Sequence, residues 1–155
     1  MRLMLTALAA METAVGGAMQ PPAQTDSMSS RLTETRHVFH CGDARATLRY
    51  SEAVNIEGPA PTLADRWRVR NASLSVQGRV ITPADQRRLG IWLHRFAWIE
   101  RATLRCAGQV GDLYFNVEGM EAEAWAAFGE GRLAQRPART SLGFRLSRSG
   151  QLALN

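Results

Sequence analysis

The chain has 155 residues, 45% of them hydrophobic, with a net charge of +5. That length suits one domain with a real core, and the apolar fraction excludes a globally disordered chain. All 19 basic residues are arginine, a bias that GC-rich codon usage explains most simply; the positive balance admits acidic partners without requiring them.

Residues 1–18 read as a secretory signal peptide. Arg2 supplies the positive start, Leu3 to Met11 form the apolar run, and Gly16-Gly17-Ala18 offers small residues for cleavage, although Glu12 sits close to the run. The run is too short to span a bilayer, so no transmembrane segment is expected in the mature chain. Residues 19–35, with Pro21, Pro22 and many Ser, Thr and Gln, read as a flexible linker, and residues 36–155 as a single globular domain. The expected location is the periplasm or outside the cell, in a bacterial envelope.

Arg36 to Tyr50 predicts a β-hairpin. Gly42-Asp43 is a two-residue turn with glycine first, which sets Cys41 opposite Ala44, Phe39 opposite Ala46 and His37 opposite Leu48. In that register Phe39, Cys41, Ala44, Ala46, Leu48 and Tyr50 share one face, and Arg45, Thr47 and Arg49 take the other. Glu52 to Asp65, with Gly58, Pro59 and Pro61, reads as a loop. A third strand is expected over Trp67–Val76, and a slip in its apolar phase predicts a bulge near Arg70-Asn71.

The strongest local signal follows. Thr82 is a good N-cap, Pro83 suits the first helical position, and Asp85 places negative charge in the first turn. Leu89, Trp92, Leu93 and Phe96 recur at helical spacing, which predicts an amphipathic helix over Pro83–Ala97. Gly90 interrupts it and suggests close packing on a neighbour. Ala102, Leu104 and Cys106 then alternate with Arg101, Thr103 and Arg105, and Leu113, Phe115 and Val117 alternate on the returning strand of a second hairpin. A short helix is expected over Met120–Phe128, ended by Gly129 and Gly131. The loop Arg148-Ser149-Gly150 predicts a last hairpin pairing Leu146 with Leu152 and Phe144 with Leu154. The expected fold is therefore α+β: one mostly antiparallel sheet built from hairpins, with the long helix packed on a face. A small β-sandwich or barrel with an inserted helix is the alternative.

Cys41 and Cys106 are the only cysteines, and each falls on the apolar face of its strand. An exported chain with an even count pairs them, so a Cys41–Cys106 disulfide is expected. His37, His40 and Cys41 do not make a metal site, because His40 points away from the other two on a strand and no second ligand pair follows. No His-Glu-x-x-His, Gly-x-Ser-x-Gly, P-loop or dinucleotide fingerprint occurs, and no nucleic-acid motif, so no cofactor is expected. The remaining candidate is the outward face of the long helix, where Arg87, Arg88, His94 and Arg95 surround Ile91 with no acidic residue between Gln86 and Ile99. Arg101 and Arg105 would extend its positive field. The functional expectation is an exported, disulfide-stabilised, non-enzymatic binding or inhibitor-like module that docks an acidic protein or an envelope polyanion. The rival is a periplasmic hydrolase whose site leaves no local signature.

Overall fold

A computed structural model describes residues 31–54, 63–107 and 111–155. The expected signal and residues 19–30 of the expected linker lie outside the described residues. Among the described residues seven strands form two antiparallel sheets, accompanied by three helices, of which the second connects the sheets. The first sheet runs in order β1 (Arg31–Cys41), β2 (Ala44–Val54) and β3 (Arg70–Val76). The second is β4 (Phe96–Cys106), β5 (Leu113–Glu121), β6 (Thr140–Leu146) and β7 (Leu152–Leu154), again in sequence order. The helices are α1 (Leu63–Arg66), α2 (Pro83–Leu93) and α3 (Ala122–Gly129). The class is α+β as expected, but the strands divide between two sheets where one was expected. Alternation reveals which side of a strand is buried; it carries no record of which strand hydrogen-bonds to which.

The two sheets face each other across a shared core. Leu48, Tyr50 and Leu74 from the first sheet share this core with Phe115, Phe144 and Leu146 from the second and with Leu89 and Leu93 of α2. Phe39 meets Phe115 edge-on at 5.9 Å, and Phe115 stacks on Phe144 at 5.0 Å. The first and last hairpins keep their expected register. Cys41 faces Ala44 and His37 faces Leu48, with Gly42 at φ +59°, the conformation that glycine tolerates at the first turn position. Leu146 faces Leu152 and Phe144 faces Leu154, with Gly150 at φ +88°.

Several boundaries differ from expectation. β1 begins at Arg31, inside the stretch read as linker. The Glu52–Asp65 stretch read as loop begins in β2, which runs to Val54, and ends in α1. β3 starts at Arg70, and Trp67 belongs to the turn after α1. Its bulge is where the phase slip placed it: Asn71 has φ +54°, and the register jumps between the Arg49–Ser73 and Ser51–Arg70 pairs. Met120 ends up in β5, so the last helix is displaced to Ala122–Gly129.

The long helix is shorter than its pattern. Thr82 caps it, its side-chain oxygen accepting the Asp85 N–H at 3.1 Å, but it stops at Leu93 where Ala97 was expected. Val69 accounts for the stop. Its carbonyl bonds the His94 ring at 3.0 Å, and its N–H donates to the Phe96 carbonyl at 2.8 Å, which draws the chain into an extended path. Phe96 is fully buried as the first residue of β4, so the apolar period continued across a change of structure. Gly90 packs on nothing: a Cβ there would meet open space.

Two devices shut the flanks of this two-sheet stack. On one side, α2 lies along the β3 edge. Its Gln86 side chain acts as a partner strand, accepting the Leu74 N–H at 3.0 Å and donating to the Leu74 carbonyl at 2.6 Å. Arg88 reaches the far sheet and donates to the Leu152 carbonyl at 3.0 Å. On the other side, the Cys41–Cys106 disulfide joins the ends of β1 and β4, with Cα atoms 6.0 Å apart. Both cysteines point inward on their strands, as the alternation required.

Candidate functional site

The outward face of α2 is built by the helical period that buries Leu89 and Leu93 on its other side. Ile91 stands at its centre, 73% exposed. The cations around it are not equivalent. Arg87 is exposed and has no ion pair among the described residues. Arg88 pairs with Asp85 at 3.3 Å besides holding Leu152. Arg95 pairs with Glu121 and lies over the Phe96 ring at 5.8 Å.

The expectation of an uncompensated basic stripe is corrected here. Its offsetting acids come from outside the Gln86–Ile99 stretch. Asp85 lies one residue before it. Glu121 is delivered by the β4–β5 register, which sets it opposite Phe96. Arg101 and Arg105 do not continue the helix face. They stand on the outward side of the second sheet, opposite Glu118 and Tyr114, and Arg105 lies 5.0 Å over the Tyr114 ring. Beside α2, a groove of about 340 Å³ is lined by Asp85, Arg88, Arg145 and the β7 hairpin.

The histidines separate as strand geometry requires. His40 is exposed on the outward face of β1. His37 lies on the inward face, its Nε2 2.8 Å from the Tyr50 hydroxyl, between the Phe39 and Tyr50 rings. Burial lowers the His37 pKa from 6.5, with the Glu52 charge pulling partly the other way. Burial raises Tyr50, and Glu52 adds to that rise. Both groups are therefore neutral near pH 7, which suits a structural hydrogen bond between β1 and β2. Glu52 itself ties the sheets together by accepting the Ile99 N–H at 2.8 Å. Among the described residues no group of three or more His, Cys, Asp or Glu side chains converges on a metal-sized site.

The chain matches no family model, no curated protein and no solved structure.

Two clusters escaped the sequence reading. Trp67, Trp98 and Trp125 pack edge to face, 5.0 to 6.5 Å between ring centroids, where α1 and α3 meet β4. They lie 31, 27 and 58 residues apart in sequence, so no window contains them. The second cluster is Arg36, Arg45 and Arg49 on the outward face of the first sheet. Alternation already put Arg45 and Arg49 there. What it lacked was weight for Arg36, which the register sets directly opposite Arg49.

Proposed function

We propose that this chain is an exported, disulfide-stapled domain of a bacterial cell envelope that works by binding an acidic partner. The observation that carries the export reading is the Cys41–Cys106 bridge between the two sheets. Such a bond persists in an oxidising compartment and is rare in the cytosol. The apolar run behind Arg2 supports the same compartment. The binding reading is supported by a surface rich in arginine, whose planar fork suits carboxylate and phosphate oxygens, and by Ile91 standing uncovered beside Arg87.

On this reading Arg87 and Ile91 carry the docking face, rather than Arg88 and Arg95. The first two are engaged in holding β7 and β5, so their charge is already partly answered.

Mass spectrometry of the protein made in its own host tests the export reading. The expected result is a chain shortened by about 18 residues, with both thiols resistant to alkylation until a reductant is added. An intact Met1 with two alkylatable thiols on cytosolic material would sink it. The docking face is tested separately: an Arg87→Gln, Ile91→Ser variant should keep its fold and lose affinity for its acidic partner.

A further inference from the structure

Six arginines among the described residues have an acidic partner: Arg68, Arg88, Arg95, Arg132, Arg139 and Arg145. Arg36, Arg45 and Arg49 stand together on the outward face of the first sheet, and none has an ion pair or a side-chain hydrogen bond among the described residues.

Their placement is unfavourable without a ligand. Arg36 and Arg49 are direct cross-strand partners, and like charges so opposed destabilise a sheet. Glu34 lies one row beyond them on the same face and Asp43 sits in the adjoining turn, yet neither pairs with an arginine. Hydroxyls lie among the three cations on β2 and β3, with Val38 and His40 beside them on β1. Thr47 lies between Arg45 and Arg49 and is only 6% exposed, with Ser75 opposite it and Ser73 opposite Arg49. The three arginines, Thr47 and Ser75 line, with Val76 and Gln77, a shallow trough of about 460 Å³. A local rule broken without internal compensation is the mark of a surface shaped by what it binds.

The spacing selects the ligand. At the Arg36–Arg49 end, one group must answer two guanidinium forks at once, and hydroxyl donors lie beside them; a phosphate has the acceptor oxygens for both. Arg45 lies four residues further along β2 on the same side, about 13 Å away at strand rise, which is beyond the reach of one small anion. We propose that the outward face of the first sheet binds a linear polymer of phosphate groups, laid along β2 from Arg49 to Arg45. The inference rests on reading the chain as a binding domain and assigns that domain a second face, distinct from α2.

The test uses the full chain and fluorescent long-chain polyphosphate, with anisotropy read across a salt series. R36Q/R45Q/R49Q is compared with R101Q/R136Q/R148Q, which removes the same charge from three other exposed arginines without ion pairs, none of them on the α2 face. The sheet variant should lose about tenfold or more in affinity, and its slope of log K against log salt should flatten by about 2, as losing three phosphate contacts on a single-stranded polyanion requires. The other variant should stay within about threefold of wild type. Equal losses in both variants would reduce the effect to net charge and overturn the site. Absence of binding by the wild type at low salt would also overturn it, as would binding to anionic phospholipid vesicles but not to the polymer. None of these outcomes touches the export reading, which depends on the mature mass and the thiol count.

Discussion

Removing the disulfide gives the most quantitative test of how this fold is held. Cys41 and Cys106 close a loop of 65 residues in sequence. In the chain-entropy model a cross-link of that span raises the free energy of the unfolded ensemble by about 4 kcal/mol. Against a typical domain stability of roughly 5–15 kcal/mol this is a large share. For a domain of this size it corresponds to a fall in Tm of roughly 15 °C. The Cys41→Ala, Cys106→Ala variant should nevertheless fold at 25 °C, because the sheets remain joined by the Phe39–Phe115 contact, the Glu52–Ile99 hydrogen bond and the span of α2. Thermal and urea unfolding followed by circular dichroism give the measurement. Reducing the wild type should reproduce the same shift, since both treatments open the same loop. A midpoint unchanged in the variant would refute the reasoning, and the bridge would then constrain nothing that the core does not already constrain.

Three further outcomes follow from named contacts. Gly90→Ala should stabilise the protein by about 1 kcal/mol, because the added methyl meets open space and the helix loses its least favourable interior residue; an unchanged urea midpoint would contradict it. Gln86→Met keeps the side-chain length but removes both hydrogen bonds to Leu74, so it should cost about 1–3 kcal/mol in the same assay, whereas a neutral result would mean that water replaces the amide at the β3 edge. Because burial lowers the His37 pKa from 6.5, the unfolded chain takes up the proton more readily than the native one. That contribution to stability is complete above pH 6.5, declines as pH falls below it and levels off under the native pKa. His37→Gln should remove the decline, which urea titrations at pH 7.5 and pH 5 would show.

Much of the fold was legible because turn chemistry and alternation agree. Gly42 and Gly150 adopt the positive φ their turns demand, and from those points the registers of two hairpins follow residue by residue. The same registers turn Cys41 inward, and the β4 alternation does so for Cys106, so the bridge was legible without any view of the sheets. The end of α2 was not. Phe96 satisfies a helical stripe and the start of a buried strand equally well, and the choice is made by Val69, a residue 27 positions earlier. The division into two sheets has the same origin. Nothing local marks β3 as an edge, because its missing partner is supplied by one glutamine side chain on α2.

Charge compensation is legible only in three dimensions, and this separates the two basic faces. By sequence, α2 looked uncompensated, since no acid lies within its basic stretch. Folding brings Asp85 and Glu121 to it, and the apparent excess shrinks to Arg87. The first sheet shows the reverse. Arg45 and Arg49 looked like ordinary outward residues on a half-buried strand, with Glu34, Asp43 and Glu52 all close in sequence. Folding turns Glu52 inward to hold the Ile99 N–H, leaves Glu34 and Asp43 unpaired, and sets Arg36 against Arg49. A charge run therefore says little about a surface until the register has chosen its neighbours. Here the register relieves the helix and concentrates positive charge on the sheet.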